Sequence, residues 1–310
     1  MAYQYKAITY GSGDGNTAIS AHLFMPEDTP LRGIVQISHG FCDYVTRYAP
    51  LAEALTEAGY ALCGNDALGH GKTAHHSDEL GFFAAEDGAD TVVTDLHKMT
   101  LLLRSKYKGT PIILLGVGLG TYPARMYAQS YYRDIDGLLL VNAGSLRHPS
   151  LSRLIARTVL RKYGEKHKSR FLENCTFGLA NLRVDWKDLH GRDWLNRDGE
   201  EVGDVVIDPL CNFRLTASAY YDLYCMADRA RASAFVKNFS KSMPVLFLSG
   251  DGDPLSHRGR DAAAIAARLR TAGARDVTEK VYAGARHDLL RETCRAEVYA
   301  DIVAWLTEKF

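Results

Sequence analysis

The sequence predicts an α/β fold: a mostly parallel central sheet flanked by helices on both faces, with an inserted helical lid. Three observations carry that reading. Strand-length apolar runs alternate with amphipathic helical segments over the first part of the chain. The alternation stops over residues 145–241, which are richer in charge and read as helices and loops. It then resumes over 242–310, so residues 1–144 and 242–310 read as one core and 145–241 as a lid inserted between two of its strands.

The elements follow in order. Residues 3–10 and 17–25 are short strands split by the turn-rich Gly-Ser-Gly-Asp-Gly-Asn of 11–16. Gly33-Ile-Val-Gln-Ile-Ser38 is an apolar run of buried-strand length, and a helical pattern occupies 48–58. Tyr60-Ala-Leu-Cys-Gly64 is the next strand. The segment 89–107 places Val92, Val93, Leu96, Met99 and Leu103 on one face of a long helix. A strand at 111–115, a helix at 122–131 and a strand at 135–141 precede the lid, in which Asp185-Trp186 and Asp193-Trp194 stand out. Beyond it come a strand at 244–249, a helix at 260–271, a strand at 277–282 and a C-terminal helix at 294–309.

Composition narrows the function classes. The 310 residues are 46% apolar and 24% charged, which is ordinary globular composition. Lys and Arg number 37 and Asp and Glu 37, so the formal charge is zero. A nucleic-acid binder would carry a basic excess, and the balance gives no reason to expect a polybasic membrane anchor. No apolar run is long enough to span a bilayer, so no integral membrane association is expected. The six cysteines form no C-x-x-C pair and no zinc pattern. No signal peptide is visible, and a reducing cytoplasm is the expected compartment.

Function in an open α/β sheet gathers at the carboxyl ends of the strands. Four such ends are suggestive here: Ser38-His39-Gly40-Phe41-Cys42-Asp43, Gly116-Val117-Gly118-Leu119-Gly120, Asp251-Gly252-Asp253-Pro254 and Ala285-Arg286-His287-Asp288. Together with Arg47-Tyr48, Asn65-Asp66, Gly69-His70-Gly71-Lys72-Thr73 and Ser249-Gly250, in this order, the chain resembles the α/β-hydrolase superfamily, in its monoacylglycerol lipase/lysophospholipase-like branch. The resemblance covers essentially the whole chain.

That resemblance implies a carboxylic-ester hydrolase lineage acting on a small ester or lipid-like acyl substrate, with no cofactor and no metal. It assigns the catalytic acid to Asp253, the base to His287 and the oxyanion-binding N–H groups to Phe41 and Leu119. It also locates a departure. Where the family has Ser in G-x-S-x-G, this chain has Gly118, which has no side chain to attack an ester. Val117, Ala67 and Asn142 are further departures expected to border the pocket.

Three explanations compete: a natural pseudoenzyme, a knock-out, and a redesigned active site, the last accounting best for the clustering. In a redesign Cys42, beside the oxyanion loop, is the candidate replacement nucleophile, with His287 as its base; the alternative is a small buried hydrophobe. A variant that only binds an apolar acyl ligand is the reading from another class. Asp43 is expected to be an exposed loop carboxylate, and Asp66 and His70 to brace a loop. His75-His76 reads as a polar loop pair. Cys63, Cys175, Cys211 and Cys225 are expected to be packing residues, and Cys294 lies far from the strand ends. The Gly116–Gly120 run lacks the spacing of a nucleotide loop.

Overall fold

The computed structural model describes residues 3–178, 180, 191–237 and 239–310; the Asp185-Trp186 pair lies outside them. Eight strands form one sheet: β1 (Tyr3–Gly11), β2 (Ala18–Pro26), β3 (Gly33–Ser38), β4 (Tyr60–Asn65), β5 (Ile112–Val117), β6 (Gly137–Val141), β7 (Val245–Gly250) and β8 (Val277–Tyr282). Their order is β1-β2-β4-β3-β5-β6-β7-β8. β1 pairs antiparallel with β2, and β2 antiparallel with β4. The other pairings are parallel.

The apolar runs read from the sequence become strands buried along their whole length, as expected when both faces of a parallel sheet are covered. β5 shows how. Its Ile112 and Leu114 pack with α2 (Gly88–Lys106) and α3 (Thr121–Ser130) on one face. Its Ile113 and Leu115 pack with α1 (Ala49–Glu57) on the other. That is the period-two alternation of an extended chain. β6 starts two residues later than expected, because the Asp136 carboxylate accepts the Ile112 N–H (2.8 Å) and pairs with Arg104 (2.7 Å).

The insertion follows β6 and holds α4 (Pro149–Tyr163), α5 (Arg170–Phe177), α6 (Gly199–Ile207), α7 (Ala217–Arg229) and α8 (Ala232–Lys237). Ser169, Asp198 and Thr216 cap α5, α6 and α7 with side-chain oxygens. The insertion is rooted rather than appended: Tyr220, Leu223, Tyr224 and Met226 of α7 belong to the same apolar cluster as α2 and α3. The chain then returns through β7, α9 (Arg260–Thr271), β8 and α10 (Arg295–Lys309), the last packing beside α1.

β3 sits between β4 and β5, so the connections leaving β3 and β5 diverge to opposite faces. The crevice at this switch point is where the loops carrying Phe41 and Gly118 meet.

Candidate active site

At the end of β5 the chain makes a single 3-10 turn, Gly118–Gly120, and enters α3. Gly118 lies at φ +54°, the left-handed region that costs an L-residue about 1–2 kcal/mol and glycine nothing. Gly116 and Gly120 are glycines for another reason. A Cβ on Gly116 would stand 2.8 Å from that of Ala124, and one on Gly120 would meet the carbonyls of Ser38 and His39. The glycine run is therefore close packing of a strand-turn-helix elbow.

Facing the elbow is His287. Its Nδ1 donates to Oδ1 of Asp253 at 3.0 Å, which leaves Nε2 pointing at Gly118. A Cβ on Gly118 would lie 2.7 Å from that Nε2, so the imidazole edge fills part of the space a side chain there would take. Asp253 is fully buried, and its carboxylate also accepts the N–H groups of Leu255 (2.9 Å) and Ser256 (3.2 Å). Burial pulls the His287 pKa down. Asp253, by charge and hydrogen bond, and Asp288 outweigh it and leave the pKa above its usual value.

A cavity of about 1170 Å³, counted out to its open mouth, lies over this pair. Phe41, Cys42, Val117, Gly118, Leu119 and His287 all line it, so the structure brings most of the residues expected from sequence to one wall. Ala67 and Asn142, expected to border the pocket, are not among its lining residues. The Ala67 N–H donates to Nε2 of His39 (3.0 Å) and holds the neighbouring loop. Asn142 is buried beneath the His287 loop. Its amide donates to the carbonyls of Arg286 (3.0 Å) and His287 (2.7 Å) and accepts from Gly250 N–H (2.9 Å). It positions the imidazole from behind.

Cys42 is where expected but not in the state a nucleophile needs. Burial, with Glu173 and Asp43 nearby, outweighs Arg192 and Lys168 and pushes its thiol up to about 12. The thiol donates a hydrogen bond to the carbonyl oxygen of Phe213 at 3.5 Å. Iodoacetamide at pH 8 is therefore expected to label exposed Cys175 at least about 100-fold faster than Cys42, read by peptide mass mapping. Comparable labelling of the two would show a reactive thiolate at 42.

Asp43 is not an exposed loop carboxylate. It is 6% exposed, and it accepts hydrogen bonds from Arg47 (3.1 Å), Tyr48 (2.7 Å) and Arg291 (2.9 Å). Burial opposes its ionisation, yet Arg291, Arg47 and His39 outweigh burial and hold the carboxyl well below the usual range. Arg291 also pairs with Asp288 at 2.8 Å. This buried network forms one end of the cavity, and sequence reading missed Arg291 and Asp288 as parts of it. The only local signal was their i, i+3 spacing directly after His287.

The sequence singled out Asp193-Trp194 in the insertion but did not place Trp194 beside the site. Its ring centroid is 5.3 Å from that of His287, and it stacks on Phe177 of α5. The carbonyl of Leu195 accepts the Asp288 N–H (2.7 Å), and Arg286 donates to the carbonyls of Asp193 (2.7 Å) and Asn196 (3.0 Å). Lid and histidine loop are thus one hydrogen-bonded unit.

The remaining candidates are structural. Asp66 accepts from His22 (3.1 Å) and from the N–H groups of Val45 and Lys72 (2.8 Å each). His70 is buried among Phe41, Phe83 and Phe213, and burial pulls its pKa to about 3. His75 and His76 are exposed, with their backbone N–H groups on Glu79. Cys63 and Cys211 are buried as expected, whereas Cys175 is exposed and packs nothing away from water. Among the described residues no group of three His, Cys, Asp or Glu is placed to hold a metal ion, and no helix is long and apolar enough to cross a membrane.

Comparison with known proteins gives a consistent picture. A hydrolase family model described as serine aminopeptidase, S33, matches residues 29–294. Monoglyceride lipase of Homo sapiens is 23% identical over 293 residues, covering 92% of this chain and 85% of the relative. Monoacylglycerol lipase of Mycolicibacterium smegmatis is 23% identical over 301 residues, covering 95% of each chain. Among solved structures, a thermostable carboxyl esterase from Bacillus coagulans in complex with glycerol superposes with a TM-score of 0.91 at 26% identity, covering 100% of this chain and 99% of the other. A lipase in open form gives 0.89 at 26% identity, covering 98% and 99%.

Proposed function

Because the chain belongs to the hydrolase family described as serine aminopeptidase, S33, and has the α/β-hydrolase fold, we propose that its cavity binds a small or lipid-like acyl ester and turns it over only by direct attack of water. The observation that carries this is the elbow itself: Gly118 offers no nucleophile, while Nε2 of His287 faces it with Asp253 in place behind. Phe41, Leu119, Phe177, Trp194, Leu215 and Leu255 give the cavity an apolar wall suited to an acyl chain. The relatives named as monoglyceride and monoacylglycerol lipases point to the same ester class.

In this route a bound water attacks the ester carbonyl and its proton passes to neutral Nε2. Asp253 stabilises the imidazolium so formed. The N–H groups of Phe41 and Leu119 receive the oxyanion. Collapse of the tetrahedral adduct expels the alkoxide, which takes the proton back from Nε2, and no acyl-enzyme forms. The expected redesign around Cys42 finds no support. Its thiol is protonated and bonded elsewhere, and Ala67 and Asn142 each serve a local structural purpose.

The test is turnover of a short activated aryl ester with an early quench. Product is expected to form slowly and linearly from the first turnover, with no acylated peptide, and His287→Gln is expected to remove it. An acyl adduct on any side chain would overturn the water route. Saturable retention of the ester with no turnover at any pH would leave ligand binding as the activity.

A further inference from the structure

We propose that Tyr5, on the edge strand β1, is a one-electron redox site: an outer-sphere oxidant takes an electron from its ring while the phenolic proton passes to Nδ1 of His22. The residues involved, Tyr5, His22 and Asp66, lie outside the cavity lining.

The sheet brings the three together. β1 and β2 run antiparallel with Tyr5 opposite Phe24. Residues two apart on a strand share a face, so His22 stands beside Phe24 and diagonal to Tyr5. The Tyr5 ring lies against that of Phe24, 5.2 Å between centroids, and its hydroxyl reaches Nδ1 of His22 at 2.7 Å. β2 also pairs with β4, which ends at Asn65. The next residue, Asp66, therefore meets the far side of the same imidazole, its Oδ2 3.1 Å from Nε2.

Asp66 decides where the hydrogens sit. Burial opposes its ionisation, but the His22 hydrogen bond, the charges of His39 and His22 and the Val45 N–H outweigh burial and lower its pKa. An ionised carboxylate only accepts, and this one also takes the N–H groups of Val45 and Lys72 (2.8 Å each). Nε2 of neutral His22 therefore carries the hydrogen, Nδ1 offers its lone pair, and the Tyr5 O–H donates to it. Burial and the Asp66 charge hold the Tyr5 pKa above its usual value, so the phenol is protonated at rest. Its proton must leave with the electron, and the base that receives it is already hydrogen-bonded.

Access and base coincide at this position. Tyr5 is 45% exposed, so an oxidant reaches the ring, while His22 and Asp66 are fully buried. Tyr10 donates to a backbone carbonyl, and Tyr44 and Tyr48 donate to carboxylates. An imidazole, with a pKa of about 6.5, is a much stronger base than a carboxylate at about 3.9. Tyr163 is more exposed, at 55%, but its ring stacks on His167. In the step itself the oxidant gains one electron, the O–H bond of Tyr5 breaks and an N–H bond forms at Nδ1. The products are a neutral tyrosyl radical and an imidazolium paired with Asp66. Reduction of the radical returns the proton from Nδ1 to the phenol.

The full chain, its exposed thiols blocked with N-ethylmaleimide, is treated with a limiting amount of hexachloroiridate(IV). Tyrosyl radicals are trapped with 2-methyl-2-nitrosopropane and the adducts located by peptide mass mapping. Tyr5 is expected to be trapped at least about tenfold more than Tyr163, despite its lower exposure. His22→Gln is expected to remove that preference, because an amide has no nitrogen that accepts a proton, and to leave Tyr163 trapping unchanged. Equal trapping of Tyr5 and Tyr163 in the native chain would overturn the proposal, as would a folded His22→Gln chain that keeps the preference. Solvent deuterium gives a readout that needs no variant. Tyr5 oxidation is expected to slow in D2O, because the O–D bond breaks as the electron leaves, and an unchanged rate would show that the proton does not move with it. None of these readouts depends on turnover in the cavity.

Discussion

Gly118→Ser is expected to raise the hydrolysis of a short aryl ester by at least about a hundredfold, because on the proposed reading it supplies the nucleophile that Gly118 lacks. The serine would emerge from the elbow directly at Nε2 of His287, with Asp253 fixing the ring and Phe41 and Leu119 lining the same cavity. The imidazole must retreat by roughly 0.7 Å to reach ordinary van der Waals contact, since the new Cβ would start 2.7 Å from Nε2. The same substitution should cost about 1–2 kcal/mol of stability, because the φ of +54° suits glycine and strains serine. Activity and stability therefore move in opposite directions, as is common at catalytic elbows.

The gain should depend on pH in a stated sense. Nε2 must be unprotonated to accept the serine proton, and the His287 pKa lies above its usual 6.5. kcat/KM of the serine variant should therefore rise with pH through a value higher than 6.5, and a burst of product should precede the steady state. For stability the sign is reversed. The charged Asp253–His287 pair contributes fully below the unfolded histidine pKa, and that contribution is lost as pH rises through the folded one. A folded serine variant with unchanged turnover would show that His287 is not poised over the elbow.

Arg291→Met is expected to be the most damaging single change to stability, by about 3–5 kcal/mol, because it leaves buried carboxylates without their cation. Arg291 donates to Asp288 (2.8 Å) and Asp43 (2.9 Å), and its guanidinium lies over the Tyr48 ring at 4.8 Å. Without it Asp43 keeps Arg47, Tyr48 and the Tyr44 N–H, and Asp288 loses its cation. Against a typical net stability of about 5–15 kcal/mol the loss should lower the melting temperature by several degrees. Arg295→Met is the control. Its partners Asp198 and Glu201 lie at 3.7 and 3.5 Å on the surface, so its effect should stay below about 1 kcal/mol.

Acid should report on the same network. The Asp43 pKa is depressed in the fold, so its contribution is complete above the ordinary carboxylate pKa of about 3.9. It is lost as pH falls from there toward the folded value. The native chain should therefore lose stability more steeply below about pH 4 than Arg291→Met, followed by thermal melts at stepped pH. Parallel acid profiles would mean that the network does not govern Asp43.

Much of this molecule was legible one residue at a time. The strands β3, β8 and the helix α9 fall where periodicity places them, and most other ends differ by one or two residues. Continuous apolar runs become buried parallel strands because both faces are covered, and that pattern is local. The absence of a nucleophile was read through the resemblance, which puts the family's serine at 118, where glycine has no side chain to react.

The rest was decided by partners that folding brings from far along the chain. Asp43 meets Arg291 across 248 positions, and Asn142 braces a loop 145 positions away. Cys42 has its thiol at the Phe213 carbonyl across 171 positions. The charge state of each group follows from desolvation and from which charges surround it, and neither exists in the unfolded chain. Periodicity thus determined the fold and the resemblance located the elbow at Gly118, while the tertiary structure decided which carboxylate, thiol and imidazole can carry charge.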